Sequence, residues 1–326
     1  MNLEYYKNKT ILVTGASGYI GANLVNSLAS VECNIMRSSR NPAALPCVDA
    51  TAEISDIPFD PEQWAKDLAG VDIIFYLAAQ TSTYAANEAP VVDLHSNVLP
   101  LLQLLACCQE HGYSPVLVFS GTATQVGVTN EVPVAENLFE KPATIYDIHK
   151  LTCEKYLAFY SGIDVIKACT LRLSNVYGPG GKSSSKDRGI LNMMIQKALH
   201  NETLTIYGEG DRIRDYLFID DVVEAFLVAA ASINATNKRY FNIGSGKGYS
   251  FTDIFSRIVE LAKTASGSTS DIVHVDEPED LSIIERRNYV ADIAAFTQAT
   301  GWQPQVDIDT GISKTMNYIM EMNAGD

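Results

Sequence analysis

Tyr146 and Lys150 stand four residues apart in Tyr146-Asp147-Ile148-His149-Lys150. On a helix that spacing puts a phenol and an ammonium on one face. A tyrosine with its ordinary pKa near ~10 is a poor base at neutral pH. A cation beside it stabilises the phenolate and brings it toward working range. The same spacing describes any exposed helix pair, so its meaning depends on what else the chain carries. Upstream lies Thr14-Gly15-Ala16-Ser17-Gly18-Tyr19-Ile20-Gly21, between a strand-like and a helix-like stretch. In that context the first glycine permits a tight turn, the second admits a pyrophosphate to the backbone, and the third allows close packing of helix on sheet. The helix N-terminus faces the phosphate charge. Phosphate binding by the turn and proton transfer by the pair together imply a nicotinamide dinucleotide enzyme.

A carboxylate normally ends the second strand of such a unit and holds the ribose of NAD. Here the strand ends Ile35-Met36-Arg37-Ser38-Ser39-Arg40, with Arg37 expected at the acid's place. Arginine and serine suit a 2′-phosphate, whereas solvated loop charges would read the same way. NAD and NADP both stay open, with Arg37 pointing to NADP. Asp56 and Ile57, expected after the third strand, would meet the adenine; Asp56 could equally be a turn residue.

The elements that must position these groups alternate. Thr10–Thr14 is a continuous apolar run, as in a strand buried in a parallel sheet. Further strands are expected at Asn34–Met36, Asp72–Ala78, Val116–Ser120 and Val165–Leu173. Helices fall between them, at Ile20–Leu28 (apolar at 20, 24, 25 and 28), Glu62–Leu68, Val92–His111 and Ile145–Tyr160. This pattern predicts an α/β fold, a doubly wound parallel (Rossmann) sheet with a smaller C-terminal α/β substrate domain. With 326 residues, the chain exceeds the roughly 250–300 at which one core stops growing. Residues 1–172, with a return over about 216–245, are assigned to the dinucleotide domain. Residues 173–215 and 246–326 are assigned to the substrate domain. Residues 175–189, rich in glycine, serine and charge, read as a loop. A helix over Ile190–His200, a hairpin-like piece around Tyr207–Gly210 and a helix capped by Asp220 or Asp221 follow. Ser250 with Asp253 resembles a capping box.

The net charge of -15 argues against nucleic acid, whose phosphates need a basic face. The six cysteines, at 33, 47, 107, 108, 153 and 169, show neither C-x-x-C nor metal spacing. They read as reduced core residues in a cytoplasmic protein, with no metal site. The polar N-terminus lacks a signal peptide's apolar stretch. The apolar runs near Val98–Cys108 and Val222–Ile233 are too short to span a bilayer, so no membrane partner is expected.

Further blocks extend the pattern: Asp72-x-x-x-Tyr76-Leu77-Ala78-Ala79-Gln80, Phe119-Ser120-Gly121-Thr122-Ala123-Thr124, and Leu171-Arg172-Leu173-Ser174-Asn175-Val176-Tyr177-Gly178-Pro179. Tyr207-Gly208-Glu209-Gly210, Arg214-Asp215-Tyr216-Leu217-Phe218-Ile219-Asp220-Asp221-Val222 and Phe241-Asn242-Ile243-Gly244 complete it. Over nearly its whole length the chain resembles the extended short-chain dehydrogenase/reductases, in the nucleotide-sugar epimerase/dehydratase branch that includes UDP-glucose 4-epimerase. The resemblance implies Thr122, Tyr146 and Lys150 as the catalytic residues. Gly15, Ser17, Gly18, Tyr19, Ile20 and Gly21 would carry the pyrophosphate. Leu77, Ala78, Ala79, Gln80 and Ser120 would line the cofactor, with Lys150 on the nicotinamide ribose. Gln80, Thr122, Asn175, Arg214 and Arg287 (or its neighbour Arg286) would meet a nucleotide-diphosphate sugar, an arginine fork suiting a diphosphate.

Relatives that dehydrate their sugar carry Asp-Glu directly after the threonine. Ala123 and Thr124 stand there instead, so the resemblance implies hydride transfer at sugar C4 and favours a 4-epimerase. A reductase of 4-keto sugars using NADPH is the alternative. A non-catalytic dinucleotide sensor on the same fold would not need all three of Thr122, Tyr146 and Lys150. A homodimer through the Val92–His111 and Ile145–Tyr160 helices is expected, though their apolar faces could pack internally.

Overall fold

The computed structural model describes residues 3–180, 189–279 and 281–324. Strands β1 (Thr10–Thr14), β2 (Asn34–Ser39), β3 (Glu53–Pro58), β4 (Ile73–Tyr76), β5 (Val116–Thr122) and β6 (Lys167–Leu173) follow in chain order. After them come β7 (Asn175–Tyr177), β8 (Leu204–Tyr207), β9 (Ile213–Phe218), β10 (Arg239–Ile243), β11 (Gly248–Ser250) and β12 (Ile272–Val275). The large sheet has the order β10-β6-β5-β4-β1-β2-β3, with every pair parallel. The fold is therefore the expected doubly wound α/β sheet. Strand order reverses between β1 and β4, which opens a crevice at the strands' carboxyl ends.

A strand's period of two sends alternate side chains to opposite faces, and both faces are buried. Ile11, Val13, Ile73, Phe75 and Val118 enter one core, which runs on through Leu191, Leu204, Ile254 and Ile312. Leu12, Ile74, Tyr76, Leu117 and Phe119 enter the other, under Leu101, Leu104, Leu105 and Leu157. This burial explains why β1 and β4 read as unbroken apolar runs. The C-terminal part adds a three-stranded sheet, β11-β9-β7, and a parallel pair, β12-β8.

Several local expectations are corrected. β2 runs three residues past Met36, to Ser39. Asp56 and Ile57 lie inside β3 rather than after it. Within the segment read as a loop, Asn175–Tyr177 is a strand paired with β9, and residues 181–188 lie outside the described residues. Tyr207–Gly210 does not close a hairpin, because β8 pairs with β12 and β9 with β7 and β11. The Ile219–Ala231 helix is capped by Phe218, and Asp220 and Asp221 fall in its first turn. Asp221 turns instead to the backbone N–H groups of Gln305 (2.9 Å) and Val306 (3.1 Å). Ser250 caps its helix by accepting from the Asp253 N–H.

Pro90–His111 is long and apolar enough to cross a membrane, unlike the shorter Val98–Cys108 run taken from sequence. It is a pair of helices, Pro90–Asn97 and Leu99–His111. Leu101, Leu104, Leu105 and Cys108 are buried in the second core.

Candidate active site

The glycine turn follows β1 and opens the Tyr19–Leu28 helix, whose cap, Gly18, makes no side-chain capping bond. Gly15 has φ +68°, and a Cβ there would stand 2.9 Å from the Ala78 nitrogen. A Cβ on Gly21 would meet the Gly15 oxygen at 2.4 Å. Thr14 Oγ1 accepts from the N–H groups of Leu77 (3.0 Å) and Ala78 (3.1 Å), so the ends of β1 and β4 are tied at the crevice. Ser17 Oγ meets Ser39 Oγ at 3.1 Å. Tyr19 directs its hydroxyl to the Gly178 carbonyl (2.8 Å), linking the turn to the C-terminal part. Ile20 packs against the core, and Ala79 is half-buried just past the β4 end.

Arg37 does not occupy the end of β2. It lies opposite Asp56 in the strand register and grips that carboxylate through Nε (2.6 Å) and Nη2 (2.7 Å). Its Nη1 donates to the Pro46 carbonyl at 2.7 Å. The strand-end residue beside the glycine turn is Ser39, followed by exposed Arg40. Sequence reasoning stopped β2 too early, because Arg37, Ser38 and Ser39 looked too polar for a buried strand; all three are buried. Ile57 packs at the edge of the second core.

The residues expected to transfer protons lie where β5 ends against the Ile145–Gly162 helix. Tyr146 and Lys150 lie on the buried face of that helix. Lys150 Nζ donates to the Ser120 carbonyl at 2.8 Å. The same nitrogen stands 4.6 Å from the Phe119 ring centroid and 5.9 Å from that of Tyr146. Thr122 is buried at the end of the strand. Its hydroxyl lies 2.9 Å from that of Thr124, and Thr124 Oγ1 donates to the Asp147 carboxylate.

A second network supports Thr122 from behind. Gln125 Oε1 accepts from the Thr122 N–H (2.8 Å), while Gln125 Nε2 donates to Glu154 (3.1 Å). Glu154 follows Tyr146 and Lys150 at the next i+4 step on the same helix. Arg172 clasps it at 2.6 and 2.9 Å and reaches Glu140 at 2.7 Å. Burial alone pulls the Arg172 guanidinium toward deprotonation, but the bonds and charges of Glu154 and Glu140 outweigh it and leave its pKa raised. The sequence reading assigned none of Thr124, Gln125, Asp147, Glu154 and Arg172 to the site. The available signal was the helical stripe 146, 150, 154, with an arginine at the matching depth of β6.

Gln80 is drawn into a separate cluster. Its amide nitrogen donates to Asp93 (2.7 Å) and to the Ser82 carbonyl (2.9 Å). Asp93 also meets His149 Nδ1 at 2.6 Å. The amide ties the segment after β4 to the Pro90–Asn97 helix, and Asp93 in turn ties that helix to His149 of the Tyr146 helix.

Of the cations expected at a diphosphate, Arg214 and Arg287 come together. Arg214 donates to the carbonyls of Arg287 and of Glu285 (2.7 Å), and Arg287 to that of Ile284 (2.7 Å). Burial lowers the Arg214 pKa, partly offset by Glu285. Its acidic neighbour is Glu285 at 3.6 Å, not Asp215 or Glu209. Arg286 is exposed and faces Glu277 at 3.8 Å. Asp215 is held instead by Ser245, Gly246 and Ala291, and burial raises its pKa. Asn175 lies in β7, opposite Tyr216 of β9.

Among the described residues no group of His, Cys, Asp and Glu could hold a metal ion. All six cysteines are unpaired. Burial pushes the Cys153 thiol up to about 12, which fits a core residue.

Comparison with known proteins gives a consistent result. Residues 11–244 match the NAD dependent epimerase/dehydratase family. A curated relative from Methanocaldococcus jannaschii, described as a putative UDP-glucose 4-epimerase, is 28% identical over 96% of this chain and 99% of its own. The Thermotoga maritima UDP-glucose 4-epimerase, solved with UDP-glucose, superposes with a TM-score of 0.83 at 27% identity, covering 96% of this chain and 99% of the other. A dTDP-4-dehydro-6-deoxyglucose reductase from Escherichia coli is 24% identical over 95% of this chain and 97% of its own.

Proposed function

The chain belongs to the NAD dependent epimerase/dehydratase family and is an enzyme of the short-chain dehydrogenase/reductase type, and from that premise we propose that it inverts nucleotide-diphosphate sugars at C4. The observation that carries this reading is the junction of β5 with the Ile145–Gly162 helix. There the buried Thr122, Tyr146 and Lys150 are drawn together through Ser120, Thr124 and Asp147. The dinucleotide fits the crevice: at Gly15 and Gly21 any Cβ would strike neighbouring backbone, and the uncapped helix start presents its N–H groups to a phosphate. A nicotinamide held by the glycine turn, Ser120 and Lys150 would supply a reversible hydride acceptor for the sugar's C4.

Tyr146, as phenolate, takes the proton of the C4 hydroxyl and gives it back. Lys150, fixed by the Ser120 carbonyl, stabilises the phenolate by its charge. Thr122 holds the C4 oxygen. Arg214 and Arg287 face the sugar's diphosphate, which Asn175 also reaches. Ala123 and Thr124 place no carboxylate where dehydration would need one, and Asp147 is wholly buried behind Thr124. Exposed Val91, Val92 and Phe159 on the Pro90–Asn97 and Ile145–Gly162 helices support a homodimer through that face. Six unpaired thiols, four of them buried, suit a reducing cytoplasm.

One observation favours a second reading, an NADPH-dependent 4-keto-sugar reductase. Ser39 and Arg40, rather than an acid, end β2. Incubating the protein with a panel of nucleotide sugars and separating the products tests the two. A C4 epimer formed without added cofactor supports the epimerase. Turnover only of 4-keto sugars with added NADPH supports the reductase. Tight dinucleotide binding with no product from any sugar refutes both, in favour of a sensor.

A further inference from the structure

Thr122, Thr124 and Asp147 form a chain of side-chain hydrogen bonds from the reacting position into the interior, and its chemistry sets the direction of every proton in it. Asp147 lies in the first turn of the Ile145–Gly162 helix, where aligned backbone dipoles favour negative charge. A carboxylate can only accept, so the Thr124 hydroxyl donates to it. That commits the single proton of Thr124. The contact at 2.9 Å between Thr122 and Thr124 then requires Thr122 to donate inward, because two oxygens cannot share a bond without a proton between them. The Thr122 oxygen also accepts the Thr124 N–H at 3.4 Å, which leaves it one lone pair for the substrate. All three side chains are buried, at 6%, 3% and 0% exposure, so water does not compete for the chain.

We propose that Asp147, acting through Thr124, is a positioning residue that makes Thr122 a hydrogen-bond acceptor toward the sugar, so that the site prefers the C4 alcohol over the C4 ketone. This deepens the C4 hydride-transfer reading and rests on it. The alcohol finds two acceptors, Thr122 and the Tyr146 phenolate. After oxidation the hydroxyl proton resides on Tyr146 and the hydride on the nicotinamide. The ketone then accepts from Tyr146 alone. An epimerase gains from this bias, since the oxidised sugar is the species that must not accumulate.

Asp147→Asn keeps the shape and supplies an N–H donor. Donation from the amide to Thr124 reverses the chain, so that Thr122 donates outward. The probes are UDP-glucose and its 4-deoxy-4-fluoro analogue, which can only accept at C4. Binding is measured by calorimetry on protein loaded with reduced dinucleotide, where the alcohol cannot be oxidised. Wild type is expected to prefer the hydroxyl compound, and Asp147→Asn to shift that preference toward the fluoro compound by about five- to tenfold, the worth of one reversed hydrogen bond. Thr124→Val, which frees the Thr122 proton without touching the helix, should shift it in the same direction, and Thr124→Ser should restore wild-type behaviour. With oxidised dinucleotide and UDP-glucose, the same two variants should accumulate more reduced cofactor than wild type. An unchanged preference in both Asp147→Asn and Thr124→Val overturns the proposal while leaving the hydride-transfer reading intact. Failure of wild type to bind either sugar refutes that reading, and the proposal falls with it.

Discussion

Replacing Arg172 by Met strips the second network of its buried cation while nearly preserving side-chain length, leaving only the exposed Lys155 at 3.4 Å from Glu140 and 4.0 Å from Glu154. Three charge-assisted bonds disappear, two to Glu154 and one to Glu140. Glu154 is only 4% exposed, whereas Glu140 is 13% exposed and can regain some water. Breaking a buried ion pair by removing one partner costs about 3–5 kcal/mol, mostly from the charge left behind. For a chain of this size that corresponds to a fall in Tm of about 4–7 °C. Differential scanning calorimetry reads it directly. Arg172→Met with Glu154→Gln removes the stranded charge yet keeps an acceptor for Gln125, so it should recover about 2 kcal/mol of the loss. Catalysis should fall with Arg172→Met as well, because Glu154 positions Gln125 and Gln125 holds the Thr122 N–H. A double variant no more stable than the single one would refute the argument, since the cost would then lie in lost packing and not in an unpaired carboxylate.

Other perturbations have equally defined outcomes. Gly21→Ala drives a Cβ into the Gly15 carbonyl and should abolish dinucleotide binding in a fluorescence titration. Ser39→Asp, at the strand end beside the glycine turn, should shift the NADP:NAD affinity ratio toward NAD by about tenfold or more, as one charge-assisted bond to the ribose replaces a phosphate contact. Arg37→Asp should instead lower Tm without that switch, because it sets a carboxylate against Asp56. Glu140 titrates below its ordinary 4.5: burial raises it, but the bonds and charge of Arg172 lower it further. Its stabilising effect is therefore full above the unfolded value and lost as pH falls through the folded one. The Tm difference between wild type and Glu140→Gln should be constant near neutrality and shrink once pH drops below about 4.5.

Legibility in the sequence followed physical scale. β1 and β4 were readable because burial on both faces demands unbroken apolar residues. The glycine turn was readable because its backbone leaves no room for a Cβ. Tyr146 and Lys150 were readable from a local helical spacing. β2 was cut short because Arg37, Ser38 and Ser39 are buried polar residues whose partners lie in β3 and in the glycine turn, 20 or so residues away. Asp147 was invisible for the same reason: its partner Thr124 is 23 positions distant, and only the fold shows that they meet. The sequence placed two candidate arginines after residue 285, but the choice between them needed the turn that points Arg287 inward and Arg286 out.

The central claim is that Tyr146 carries the proton while a hydride leaves the sugar's C4. It is tested most directly with UDP-glucose deuterated at C4, following both the cofactor absorbance and the product by NMR. Wild type should transiently reduce its dinucleotide and yield the C4 epimer with deuterium retained at C4. Tyr146→Phe should slow both events by on the order of 10²–10⁴. Epimer formed with deuterium lost to solvent, or undiminished turnover in Tyr146→Phe, would contradict the account.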